Sequence, residues 1–326
     1  MILEEVVTCF GTSGREKKVA ELIRDIIKDK VDEIFTDALG NLIVRKKGPG
    51  KRIMFAAHMD QIALIVTHVD EKGFLRFAPV GDHNPINLFG QRVIFDNGVQ
   101  GIIGNDEVKN LSEINMNKLY IDIGALNHAE ASKAVEVGDM CIFNTTFYEN
   151  ETCIMSRSIE DRIGCFVMID AILNETSKND CYFAFTVQKE VGLRGARVSS
   201  YRIDPEYFIS IDVTKTCDTY DGTKMNVKLG EGFALKLKDS DMITNEEVKN
   251  MMLDIANKEN IKYQFEVLEG GTADAAAAQV TRAGIKSGCV SVPTRWAHSG
   301  SEIVNKFDLG EAIRMVKGIM NYEFKE

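Results

Sequence analysis

RIMFAAHMDQIALIVTHV, residues 52–69, is where two textures of sequence meet. The first half, RIMFAAHMD, is an apolar run that stops on His58 and Asp60, which predicts a buried strand with polar groups at its carboxyl end. From Ile62 to about Thr146 the pattern changes to short alternating strands, namely QIALIVTHV, GFLRFAPV, QRVIFDNGVQGIIG, KLYIDIG and GDMCIFN. Glycine turns separate them, and HAEASKAVE is the single helical candidate in this stretch. That is the signature of a small β-rich module.

Outside the module the chain alternates helix and strand. Upstream, REKKVAELIRDIIKD (15–29) places Val19, Leu22, Ile23, Ile26 and Ile27 on one helical face. IFTDALGNLIVRKKG predicts two strands about a Gly40-Asn41 turn. Downstream, RIGCFVMIDAILNE, NEEVKNMMLDIANKEN, TADAAAAQVTRAG and LGEAIRMVKGIMNYEF predict helices. CYFAFTVQ, YFISIDVT, YQFEVLEGG and SGCVSVP predict strands between them. Strands joined by helices imply a mostly parallel sheet flanked by helices, so the fold class is α/β with a β insert. The insert takes residues 64–148; residues 1–63 and 149–326 form the α/β domain.

The chain has 326 residues and a net charge of −10, from 49 acids against 39 bases. That balance argues against nucleic-acid or anionic-membrane partners, which need basic surface. The seven cysteines are scattered with no CxxC pair, which predicts free thiols and a cytoplasmic setting. No apolar run reaches the ~18 residues that span a bilayer. No phosphate loop, GxSxG elbow or Cys-His nucleophile stands out.

Ligands in open α/β sheets gather at the carboxyl ends of strands. Four predicted strands lead there into metal-competent side chains: His58 with Asp60, then Glu190, Asp212 and His298. SIEDRIG adds Glu160 and Asp161 just before a helix. Each has an ordinary alternative. A lone strand-end histidine is usually a core residue, Glu190 can cap the next helix, and Glu160-Asp161 can complement a helix dipole. Asp212 in an apolar strand needs a cation, and an arginine would serve as well. Taken together, nitrogen and carboxylate donors in this number suit zinc, cobalt or manganese, with one or two ions sharing a carboxylate. His83, in VGDHNP, is a further candidate for the cleft wall, whereas His68 and His128 read as structural or surface residues.

These segments together resemble the dinuclear metallo-aminopeptidases that include glutamyl and deblocking aminopeptidases and the TET particles. Some members carry a cellulase name. The resemblance rests on AAHMDQIALIVTHVDEKGFLRFAPVGD, SIEDRIG, TVQKEVGLRGA, SIDVT, GGTADAAAAQ and VSVPTRWAHSGSEIV, which span nearly the whole chain. It implies a zinc-exopeptidase-like domain with an inserted small β-barrel-like dimerisation domain. It implies that His58 and Asp212 hold one ion, Glu190 and His298 the other, and that Glu160 bridges them. Asp60 would orient His58, and the Glu160–Asp161 peptide bond would be cis. Short peptides are the implied substrates, and a homo-oligomer, from dimer to dodecamer, the implied assembly.

The chain departs from the family at two places. The family has aspartates at both positions corresponding to Glu160 and Asp161, with the first bridging; here two arrangements are open, one in which the longer Glu160 bridges and one in which Asp161 substitutes after a local shift. The larger departure is Lys189, which stands where the family has its general-base glutamate. Two unit charges 4 Å apart interact by about 4 kcal/mol at an effective dielectric near 20, so an amine there reshapes the electrostatics. Three arrangements are open. Lys189 is neutral beside two ions and serves as a base. It stays charged and replaces one ion electrostatically, leaving a single ion or none. Or it turns away to a surface acid. The implied function is a metal-dependent aminopeptidase. The rival is a silenced paralogue acting as a structural or regulatory subunit, alone or in a hetero-oligomer with an active relative. A glycosidase would need two carboxylates about 5–10 Å apart flanking a bond, which the order of acids here fits less well than metal ligation.

Overall fold

In this computed structural model the described residues are 1–324, without 108, 109, 221 and 223. Four parallel strands form the centre of the larger sheet, in the order Asp180–Thr186, Arg52–His58, Tyr207–Lys215 and Lys286–Arg295. Antiparallel strands extend it on both sides: Leu42–Lys46 and Glu33–Thr36 on one edge, Glu302–Asn305 and Cys153–Ser156 towards the other. Phe233–Lys238 branches off Lys286–Arg295 and pairs in parallel with Tyr263–Val267.

The central strands are mostly apolar because both faces are covered. Successive side chains point to opposite faces. Ile53, Phe55 and Ala57 accordingly pack into one core, with Val19 and Ile23 of helix Lys17–Ile27, Ile163 and Val167 of helix Ile159–Asn174, and Ala312 and Met315 of helix Lys306–Met320. Met54 and Ala56 face the other way, onto Ala196 of helix Arg194–Ile203 and Ala275 to Ala278 of helix Asp274–Gln279. Helix Glu246–Glu259 joins the first layer through Val248, Met251 and Met252.

The chain leaves this sheet just after His58 and enters a closed six-stranded barrel: Ala63–Val69, Leu75–Val80, Leu119–Asp122, Gln100–Asn105, Arg92–Phe95 and Met140–Phe143. Its alternating strands fill the interior with Leu64, Val66, Phe77, Val93, Ile103 and Ile121. The expected helix in HAEASKAVE runs His128–Ala134, capped by the Asn127 side chain on the Glu130 N–H. Among the described residues no helix is long and apolar enough to cross a membrane.

Several elements differ from the expectation. A first helix, Ile2–Thr8, buries Leu3, Val6 and Val7 against the main core. Strands Phe233–Lys238 and Glu302–Asn305 were not anticipated. The helix expected over 272–284 is only Asp274–Gln279. Arg282 and Gly284 take left-handed φ of 54° and 98°, which no α-helix sustains. The closing helix starts earlier and ends earlier, at Lys306–Met320, with Asn305 as its cap.

Candidate metal centre

The candidate residues meet at the carboxyl ends of the parallel strands. His58 ends strand Arg52–His58, Asp212 lies in Tyr207–Lys215, and Glu190 and His298 follow Asp180–Thr186 and Lys286–Arg295. Glu160 sits at the start of helix Ile159–Asn174, and its peptide bond to Asp161 is cis. Two overlapping donor groups result. His58, Glu160 and Asp212 bring ligand atoms within 4.8 Å of one another, and so do Glu160, Glu190 and His298. Glu160 belongs to both.

Each side chain is held by its surroundings. The nearer partner of His58 Nδ1 is the Asp60 backbone carbonyl at 2.8 Å, with the Asp60 carboxylate 3.6 Å away. This leaves His58 Nε2 buried without a hydrogen-bond partner. The Asp60 carboxylate accepts the Lys189 N–H, the Glu190 N–H and the Ser13 hydroxyl at 3.0, 3.0 and 2.6 Å. It thus fixes the Lys189-Glu190 turn as well as standing beside the ring. Glu16 supports the same turn by accepting the Gln188 N–H at 2.9 Å. Asp161 accepts the backbone N–H of His58 and of Gly164 at 3.3 and 3.1 Å, and it belongs to neither donor group. Burial, reinforced by Asp212, pushes its carboxyl well above the usual range. Glu302 accepts the N–H groups of Glu160 and His298, and burial with the neighbouring Glu160 charge pushes it up to about 8.

Lys189 turns inward. Its Nζ lies 2.7 Å from Glu160 Oε1 and 3.1 Å from Glu190 Oε1, so the arrangement in which it pairs with a surface acid does not occur. Burial opposes its charge, but Glu160, Glu190 and Asp212 outweigh burial and hold the amine well above the ordinary lysine range. Burial would likewise raise Glu160, yet Lys189 and His298 hold it well below the usual carboxylate range. His298 Nε2 is 2.6 Å from Glu160 Oε2, at ion-pair distance but off the hydrogen-bond angle.

His83 hydrogen-bonds the Ala63 carbonyl through Nε2 at 2.9 Å and packs in the barrel near Phe143. Its neighbour Asp82 is the residue that reaches the cleft, 3.6 Å from His298 Nδ1. The cleft has a volume of about 370 Å³ and is lined by Asp82, Glu160, Lys189, Asp212, Lys236 and His298 among others. That is room for a small ligand or a residue of a peptide. Eight described non-glycine residues have left-handed φ, and four of them, Ser158, Gln188, Trp296 and His298, lie at or within two residues of Glu160, Glu190 and His298. Such backbone costs about 1–2 kcal/mol per residue and collects at functional sites.

The donor chemistry fits a divalent cation. One imidazole nitrogen and carboxylate oxygens converge in the first group, and the orphaned Nε2 of His58 is the kind of buried atom that a metal satisfies. Sequence reasoning did not find Glu302, Asp82, Ser13 or Asp274. Asp274 accepts the Thr186 hydroxyl at 2.6 Å, and burial pushes it up to about 6. All four lie within or beside stretches already singled out, but nothing local marks them.

Known proteins place the chain as a whole. The family model for the M42 glutamyl aminopeptidases matches residues 40–315. A putative aminopeptidase of Acetivibrio thermocellus is 42% identical over 97% of this chain and 96% of its own. An aminopeptidase from Desulfurococcus kamchatkensis superposes with a TM-score of 0.94 at 33% identity, covering 99% of this chain and 94% of that one. The TET1 peptidase of Pyrococcus horikoshii, which can assemble into a tetrahedron or a large octahedral shell, gives a TM-score of 0.89 at 32% identity over 99% of both chains. Family match, identity along nearly the full length and shared architecture agree, and this chain belongs to the M42 glutamyl aminopeptidase family.

Proposed function

We infer that this chain is a metal-dependent aminopeptidase that releases N-terminal residues from short peptides. The observation that carries the reading is the pair of donor groups sharing Glu160, at the floor of a cleft large enough for a peptide end. His58, Asp212 and Glu160 would hold a divalent ion, with Glu190 and His298 completing the donor set. Zinc, cobalt and manganese all suit imidazole and carboxylate donors. Bound there, a divalent ion supplies Lewis acidity and a water of lowered pKa.

The chain's own residues do the rest. Asp60 fixes the Lys189-Glu190 turn, and Glu302 fixes Glu160 and His298 through their backbone N–H groups. Lys189 places its amine between two carboxylates and donates a hydrogen bond to each. Loss of a general base typically costs about 10²–10⁴-fold, so the enzyme is expected to be slow. The same amine is the one observation that favours the second reading, a silent subunit.

By analogy with the shells formed by the Pyrococcus horikoshii relative, the functional form is a homo-oligomer. The test measures amino-acid release from a peptide panel with added zinc, cobalt or manganese, comparing the unaltered chain with His58→Ala and with the Lys189→Glu, Glu160→Asp double variant. Slow, chelator-sensitive release that His58→Ala abolishes and the double variant accelerates is the expected result. No metal-dependent release from the unaltered chain on any peptide would refute the enzyme reading, and release appearing only in the double variant would establish the silent subunit.

A further inference from the structure

The two donor groups are not equivalent. In the first, His58 Nε2 is buried and has no hydrogen-bond partner. Nothing in the protein satisfies it, although Asp212 and Glu160 offer oxygens within 4.8 Å. In the second, His298 Nε2 is likewise without a hydrogen-bond partner, but there the carboxylates already have one. Lys189 donates to Glu160 Oε1 at 2.7 Å and to Glu190 Oε1 at 3.1 Å, while His298 Nε2 stands 2.6 Å from the other Glu160 oxygen. The first group is thus open between its donors, whereas in the second an amine already occupies the space between the two carboxylates.

Position gives the same answer. Lys189 Nζ already stands 2.7 and 3.1 Å from the Glu160 and Glu190 oxygens that a second ion would have to share, so an ion could enter there only by displacing the amine. Lys189 is also firmly placed. Its own N–H is hydrogen-bonded to Asp60, and its side chain is about one-tenth exposed.

We propose that this chain holds one divalent ion per subunit, between His58, Asp212 and Glu160, and that the Lys189 amine takes the place of a second ion between Glu160 and Glu190. This rests on the metal-dependent reading above and sets its stoichiometry. The amine is a fixed part of the chain, so the second position neither exchanges with solution nor responds to chelators.

Equilibrium dialysis of the full-length protein against zinc or cobalt, followed by elemental analysis, tests it independently of activity. The unaltered chain is expected to bind one ion. Lys189→Met and Lys189→Glu, checked for native melting, are expected to bind two. His58→Ala should abolish binding to the unaltered background, and His298→Ala should retain one ion. Two ions on the unaltered chain would overturn the proposal and leave the aminopeptidase reading standing. One ion on both well-folded Lys189 variants would overturn it as well, because the amine would then not be what excludes the second. No ion at all would refute both.

Discussion

Glu302 Oε2 accepts the backbone N–H of Glu160 at 3.0 Å, across 142 residues of chain. Its other oxygen accepts the N–H of His298 at 2.9 Å. One buried carboxylate thus sets the spacing of two candidate ligands without being a ligand. Groups that orient metal ligands typically govern 10–100-fold in affinity. Glu302→Ala is expected to weaken zinc binding by about that factor, measured by competition with a chromogenic chelator. Glu302→Gln, which keeps one acceptor, should lose less. Equal affinity for all three proteins would remove Glu302 from the site.

Among the described residues Arg162 is the largest fully buried side chain, and its guanidinium donates to four carbonyl oxygens, those of Met59, Val6, Cys9 and Gly11, at 2.5 to 3.1 Å. It ties the first helix and the loop that follows it to the segment after His58. Hydrogen bonds to charged groups contribute about 1.5–3 kcal/mol each, and a buried carbonyl left without its donor carries a desolvation cost. Arg162→Met is expected to destabilise the protein by more than about 3 kcal/mol in urea titration. Arg162→Lys, with a compact ammonium that cannot reach all four, should fall between. A loss under about 1 kcal/mol for Arg162→Met would show that the network is dispensable.

The expected elements that formed as read were those with a local signature. The stripe Val19, Ile23, Ile27 marks a helix, and the run from Ile53 to Ala57 marks a strand covered on both faces. Strand Phe233–Lys238 escaped because Lys236 interrupts its apolar run. Its charge is balanced by Glu266, 3.1 Å away on the neighbouring strand, which the local sequence cannot reveal. Helix Ile2–Thr8 escaped because two turns leave too short a stripe to read. In the site, acids and histidines at strand ends were legible as donors. Ser13, Asp82 and Glu302 were not, since what they do depends on groups contributed by distant segments. His83, next to Asp82, was the wrong side of the same loop to read as cleft wall.

The barrel touches the site at Gly81, whose φ is +85°. A Cβ there would come within 2.6 Å of Glu190 Oε2 and 2.8 Å of Ile62 Cγ2. Gly81→Ala must therefore displace Glu190, besides costing about 1–2 kcal/mol for a left-handed alanine. Misplacing a group by about 1 Å can lower a rate about 10²-fold. A fall in peptide release approaching that size, with only a small shift in melting temperature, is expected. Unchanged release would mean that Glu190 moves without consequence.

All seven cysteines are free thiols, and four of them, Cys141, Cys165, Cys181 and Cys289, are buried. Burial pushes the Cys181 and Cys289 thiols up to about 12, so they are neither accessible nor ionised at neutral pH. A disulfide reagent should titrate no more than the three part-exposed thiols, Cys9, Cys153 and Cys217, in the native protein, and all seven in denaturant. Fast reaction of a fourth would reveal an opening of the core.

The groups that build the cleft come from Ser13 to Glu302, and the two strands that flank Arg52–His58 lie beyond residue 179 with the whole barrel in between. No fragment of the chain can therefore preform the cleft while it is being synthesised. Loop-closure entropy must be met before these long-range contacts give any return, which makes such topologies slow to fold. The barrel, whose strands pair within residues 63–143, is free to fold first. Activity is then expected to return late on refolding, well behind the recovery of barrel structure.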